Sequence, residues 1–203
     1  RLSAPELKEL IQKAGQEHGA AVAVVNGSRS VVLSGSAAAV DKVLEAAGSA
    51  VSHRRLVMNN AFHSPLMTSI LDDYKQVLST VTLHQPHIEF VSTVLGRSAT
   101  PTEITSIQYW LDHITNTVQY QAAVEFAIEI NATKFTELGS THATLSPLSK
   151  QIVPRTTSKS FDIQPFTELL PHPEHVEKPA RVTQAPTVDH WRSSSAQHRM
   201  LQK

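Results

Sequence analysis

Asn59-Asn60-Ala61-Phe62-His63-Ser64-Pro65-Leu66-Met67 places a histidine where a strand gives way to a helix. On its N-terminal side, Arg55-Leu56-Val57-Met58 reads as a short apolar strand. On the other side Ser64 is a good N-cap, and Pro65 suits the first helical position, where its missing N–H costs nothing. A titratable imidazole at such a junction lies at the rim of a sheet, where α/β proteins tend to build ligand sites. The stretch therefore sets the expected class as α/β and marks His63 as the first candidate residue.

Upstream, Ser3-Ala4-Pro5-Glu6 has capping-box spacing, and Leu7, Leu10, Ile11 and Ala14 recur at helical spacing up to Gly15. Residues 20–25 and 30–33 are β-rich runs joined by Asn26-Gly27-Ser28-Arg29, a hairpin signal because Asn and Gly tolerate positive φ. Ser36 caps a second helix with Val40, Val43 and Leu44 on one face, and Gly48 ends it. With the strand before His63, the order is helix, strand, strand, helix, strand. That is a ferredoxin-like small subdomain lacking its first strand, an α+β unit expected over residues 1–62. In that topology the first strand lies inside the sheet, so two strand edges are expected to go unpaired.

Downstream, the pattern predicts a helix over 65–81 with Leu66, Ile70, Tyr74, Val77 and Leu78 buried. Residues 87–94 read as a strand ending at Gly96, and Thr100-Pro101-Thr102-Glu103 is a second capping box. A helix over 118–131 and a short strand over 133–138 follow. Residues 154–203 are rich in proline, serine and threonine and read as an extended linker or surface-wrapping tail. Phe161, Ile163, Phe166 and Leu169-Leu170 are its docking candidates. The expected division is 1–62, 63–150 and 151–203.

Eighteen basic and eighteen acidic residues leave no basic face, which argues against nucleic acid as a partner. Zero cysteines exclude a disulfide scaffold, a thiol nucleophile and a thiolate zinc site. No apolar run approaches the roughly 18 residues of a membrane span, and Arg1 does not open a signal peptide. The expectation is a cytoplasmic protein without a membrane partner. His172-Pro173-Glu174-His175 lacks a secondary-structure scaffold, so no metal site is assigned.

Five segments taken in order give these elements a family. Ala61-Phe62-His63-Ser64-Pro65-Leu66-Met67 resembles the segment carrying the catalytic histidine in acyltransferase domains of type I polyketide and fatty acid synthases. The 26–35 stretch, from Asn26-Gly27 to Ser34-Gly35, is similar to that family's N-G-P-x-x-x-V-x-S-G. Phe90 to Arg97 resembles V-S-N-V-T-G-R. Tyr109-Trp110 with Val118-Gln119-Tyr120 matches Y-W-x-x-x-x-x-x-P-V-x-F in spacing. Phe135-Thr136-Glu137-Leu138-Gly139 resembles F-x-E-L-G-P.

The resemblance implies the C-terminal part of an α/β-hydrolase-like acyltransferase core after the small subdomain, then a post-acyltransferase linker. It implies transfer of malonyl or a similar small acyl group from a coenzyme A thioester to an acyl carrier protein. No cofactor is consumed; the carrier's phosphopantetheine thiol accepts the group. Acyl-CoA, the carrier protein and neighbouring synthase domains are the implied partners. His63 would be the general acid/base, a task suited to an imidazole that titrates near neutrality.

The family orients that histidine through a backbone carbonyl in the loop before P-V-x-F, here Thr115-Asn116-Thr117, so Asn116 is the orienting candidate. Thr117 replaces the proline, which predicts a looser loop. Phe62 before His63 goes with malonyl loading: an aromatic ring fills the space of an α-methyl group, a discrimination of about 1–3 kcal/mol. Asn60 stands where the family has a histidine. Asn26 could project its amide toward the substrate or serve the hairpin turn.

The family's nucleophilic serine sits in G-H-S-x-G-E upstream of the histidine, and no G-x-S-x-G occurs in these 203 residues. A fragment of the enzyme is therefore expected, inactive alone. The alternative is a non-catalytic remnant or docking module.

Overall fold

Ser3 and Glu6 close their capping box as the spacing requires. In the computed structural model, which describes residues 1–49, 51–56, 58, 60–138, 143–153 and 160–165, Ser3 N–H donates to Glu6 Oε2 at 2.7 Å. Helix α1 (Ala4–Lys13) buries Leu7 and Ile11 and packs on the hairpin of β1 (Ala20–Gly27) and β2 (Ser30–Gly35). Helix α2 (Ala37–Ala47), capped by the Ser36 hydroxyl, adds Val43. Leu7, Ile11 and Val43 form one core with Leu2, Leu10, Val22, Val31 and Leu33. Burying each such side chain is worth about 1.5–3 kcal/mol, so this cluster anchors the N-terminal layer.

The hairpin turns at Ser28-Arg29, not at Asn26-Gly27. Neither Asn26 nor Gly27 has positive φ. A register shift between Val25 and Gly27 absorbs the extra residue instead, so Asn26 marks an irregularity in β1.

The strand expected at 55–58 is not formed among the described residues: Arg54 to Leu56 is irregular, and Val57 lies outside them. Leu56 and Met58 are exposed. Among the described residues no strand pairs with this segment, so its backbone has no ladder to join. The sheet here is the β1–β2 hairpin, extended by one parallel bridge from Val24 to Val118.

The segment after His63 starts as a 3-10 helix (Pro65–Ile70) under the Ser64 cap and becomes α3 (Leu71–Ser79). Met67 and Leu78 are its buried residues, whereas Leu66 and Val77 are exposed. The tighter winding of the first six residues rotates the apolar stripe away from a continuous helical face. The strand expected at 87–94 shrinks to β3 (Val91–Ser92), paired antiparallel with β4 (Arg97–Ser98), and Ile88 is 82% exposed.

The turn between β3 and β4 requires Gly96, whose φ is 68° and whose added Cβ would lie 2.8 Å from Ala122 Cβ. Thr100 and Glu103 form the second capping box on α4 (Pro101–Ile104), and Ser106 caps α5 (Ile107–Thr115). Tyr109 of α5 donates its hydroxyl to the fully buried Ser92 Oγ at 2.8 Å. That oxygen also accepts from the Val94 and Leu95 amides, so one serine locks the turn to the helix.

Helix α6 (Tyr120–Glu129) packs on β1, followed by β5 (Lys134–Glu137) and α7 (Leu145–Ile152). The tail does return: β6 (Asp162–Pro165) pairs in parallel with β5, with Ile163 buried. Phe161 is half-buried; Phe166, Leu169 and Leu170 lie outside the described residues, as does Gly139.

Glu137, the acidic residue of the Phe135–Leu138 motif, ties β5 to α7. Its Oε1 accepts from the Thr144 and Leu145 amides at 2.9 Å each, and its Oε2 from the Ser146 amide at 2.8 Å and hydroxyl at 2.9 Å. Those backbone donors are the largest reason its pKa falls to about 2. A carboxylate depressed by folding stabilises the native state above its unfolded pKa and loses that contribution as pH falls through its folded value. Glu137→Gln should therefore lower the melting temperature at neutral pH. The gap from wild type should close between about pH 4.5 and about pH 2 in a thermal-denaturation series.

Candidate functional site

His63 stands at φ 60°, in the left-handed region that few non-glycine residues occupy. Three contacts hold the junction. Its N–H donates to Ile114 O at 2.9 Å, its Nδ1 lies 2.9 Å from Asn116 O, and the buried Ser64 hydroxyl donates to Ala61 O at 2.6 Å. A carbonyl oxygen only accepts, so the Nδ1–Asn116 bond requires the proton on Nδ1. In the neutral ring this leaves Nε2 with its lone pair free, the tautomer a base needs.

Asn116 offers its carbonyl because α5 ends there in an extended residue, φ −81° and ψ 155°. The chain is then drawn onto the free edge of β1. Val118 N–H donates to Ala23 O, and Val25 N–H donates to Val118 O, both at 2.8 Å. The Thr117 hydroxyl donates to Val22 O at 2.7 Å. The loop is not loosened by its missing proline: a side-chain hydrogen bond to β1 restrains it instead.

These elements enclose an open cavity of about 500 Å³. His63, Thr115, Asn116, Thr117 and Gln119 supply its polar wall, and Ala21, Pro65 and Val94 its apolar one. The Phe62 ring is half-buried at 6.4 Å from the imidazole, tilted by 49°, but does not line this cavity. Asn60 is exposed and Asn26 sits half-buried in β1; neither lines the cavity. The structure thus brings His63 and Asn116 together, sets Phe62 beside them and leaves Asn26 and Asn60 apart.

Two neighbours were not singled out from the sequence. His113, in the last turn of α5, stacks on Trp110 at 6.0 Å and meets Tyr109 edge-on at 5.5 Å. Burial against these rings, then the nearby His63, pushes its pKa below the ordinary imidazole value. Gln119 occupies the variable position of V-x-Y and carries no sequence signal beyond its place beside Val118. Among the described residues no cluster of three His, Cys, Asp or Glu could hold a metal. His172 and His175 lie outside those residues. Among the described residues, no helix is long and apolar enough to cross a membrane.

Comparison with known proteins assigns the lineage. Residues 3–187 match the family model described as "Acyl transferase domain". Polyketide synthase GfsA of Streptomyces halstedii is 37% identical over 136 residues, 66% of this chain and 2% of that synthase. The acyltransferase domain from the second module of the salinomycin polyketide synthase superposes with a TM-score of 0.72 at 29% identity. That match covers 81% of this chain and 37% of that domain. A malonyl-CoA:acyl carrier protein transacylase from Xanthomonas oryzae gives a TM-score of 0.71 over 82% of this chain and 51% of its own. At 23% identity that likeness speaks to fold alone. The chain thus spans about a third to a half of the domains it resembles, yet its motifs, mixed α/β fold and relatives agree: it belongs to the acyl transferase domain family of type I polyketide synthases.

Proposed function

We propose that this chain is the C-terminal part of an acyltransferase domain that moves malonyl from coenzyme A to an acyl carrier protein, with His63 as general acid/base. The observation that carries this reading is the His63 Nδ1 hydrogen bond to Asn116 O at the mouth of the cavity. Residues 1–62 form the small subdomain, 63–150 the end of the core, and 151–203 the linker toward neighbouring synthase domains.

His63 Nε2 takes the proton of a serine hydroxyl as its oxygen attacks the thioester carbonyl. It then returns that proton to the departing coenzyme A thiolate. In the second half-reaction it deprotonates the carrier's phosphopantetheine thiol, and the serine oxygen leaves with the proton. Asn116 O, at the C-terminus of α5, accepts from Nδ1–H in both the neutral and the protonated ring and so holds its orientation through these steps. Phe62, whose ring stands 6.4 Å from the imidazole without lining this cavity, is the residue that the family pattern ties to malonyl over methylmalonyl.

The serine is supplied by a G-H-S-x-G-E segment that these 203 residues do not contain. That observation also supports the second reading, a docking module retaining the subdomain and linker without turnover. The chain alone should form no covalent adduct with malonyl-CoA, because an unactivated surface serine is a poor nucleophile. Intact-mass measurement reads this directly; a stoichiometric, hydroxylamine-labile malonyl adduct on one serine would overturn it.

In the polypeptide carrying the serine segment, His63→Ala should cost roughly 10²–10⁴ in transfer rate with every acyl-CoA alike. Phe62→Ser should instead shift the malonyl-to-methylmalonyl ratio by about 10–200-fold at most. Near-parental turnover in His63→Ala would remove the general-base assignment. An unchanged ratio in Phe62→Ser would remove Phe62 from substrate selection.

A further inference from the structure

The wall of the His63 cavity carries a carboxamide that nothing in the mechanism uses. Gln119 is fixed by its own backbone: its N–H donates to Thr93 O at 2.6 Å, and Val118 before it is pinned to β1. Its side chain lines the cavity half-buried and makes no hydrogen bond among the described residues. Gln108 and Gln121 show the contrast, donating to carboxylates one turn along their own helices at 2.8 Å and 2.7 Å. Gln119 has no carboxylate one turn ahead, since that position is Ala123.

Two other polar groups of the wall are already engaged. The Thr117 hydroxyl is spent on Val22 O, and His63 Nδ1 on Asn116 O. None of the lining residues is Lys, Arg, Asp or Glu. A wall without fixed charge offers little to a phosphate. A primary carboxamide, which donates and accepts at once, complements a secondary amide. The Gln119 carboxamide is not buried out of reach of water, so it is open to a ligand amide that enters the cavity.

We infer that Gln119 is a substrate-binding residue that pairs its carboxamide with a secondary amide of the pantetheine arm, holding the sulfur end toward His63. This rests on the thioester-site reading above and deepens it. The same arm is carried by coenzyme A and by the carrier protein, so one residue serves both half-reactions. The uncharged wall places the nucleotide of coenzyme A outside the cavity.

Amide NMR of the isotope-labelled chain tests this without needing turnover. Titration with pantetheine should shift the Gln119 side-chain NH₂ pair together with the backbone amides of His63, Asn116 and Thr117, along one saturable curve. Coenzyme A should move the same set, and its adenosine bisphosphate half alone should not. Gln119→Met, of similar length but apolar, should weaken pantetheine binding about 2- to 12-fold, the worth of one net hydrogen bond. If the His63 and Asn116 amides shift while the Gln119 NH₂ pair stays still, Gln119 is not the contact and the thioester site stands. An unchanged midpoint in Gln119→Met reads the same way. If the adenosine bisphosphate moves the Gln119 pair, the site recognises the nucleotide and the amide pairing is wrong. If no cavity amide responds to pantetheine, the thioester-site reading fails and this inference falls with it.

Discussion

Three hydrogen bonds between residues 117–118 and the free edge of β1 hold the site together. Thr117 Oγ1 to Val22 O, Val118 N–H to Ala23 O and Val25 N–H to Val118 O join the N-terminal hairpin to the end of α5. Each is worth about 1 kcal/mol net, but their value lies in geometry. They halt α5 at Asn116 and turn its carbonyl toward His63. They also set Gln119 on the cavity wall and start α6 from a fixed point. Without this edge pairing, Asn116 and His63, 53 residues apart in sequence, would share no frame.

The same edge explains a substitution that composition alone misreads. A proline at 117 stiffens the chain through its ring, whereas threonine leaves φ free. Here the threonine hydroxyl bonds across to Val22 O and restores the restraint through a long-range contact. The loop is ordered by tertiary pairing rather than by local stiffness. A sequence reading of 115–117 sees only the lost ring, because the acceptor lies 95 residues away.

What was legible in the sequence follows that division between local and distant causes. Both capping boxes, the Ser36 and Ser64 caps and the hairpin depend on residues within a few positions, and all are present. So was the partnership of His63 with the 115–117 loop, because it came with a family pattern. The strands at 55–58 and 87–94 depend on ladders elsewhere. Leu56 and Ile88, apolar and exposed, show that β-propensity without a neighbouring edge does not make a strand. His113 and Gln119 carry no sequence signal because their places come from packing: one from the Trp110 and Tyr109 rings, the other from the walls around it.

The backbone of His63 brings these points to one balance. A non-glycine residue in the left-handed region costs on the order of 1–3 kcal/mol, and such a cost persists only where the surroundings over-determine it. Here the N–H bond to Ile114 O and the Nδ1 bond to Asn116 O return about 1 kcal/mol each, and the Ser64 hydroxyl closes the junction onto Ala61 O. The strain and its restraints are therefore of similar size. What the arrangement secures is direction: the imidazole is held from both its backbone and its ring by one helix terminus. A side chain free to rotate would lose the Nδ1 bond and with it the tautomer that leaves Nε2 open. The strained dihedral at 63 and the acceptor at 116 are two halves of one constraint, and both trace back to the chain's attachment to β1.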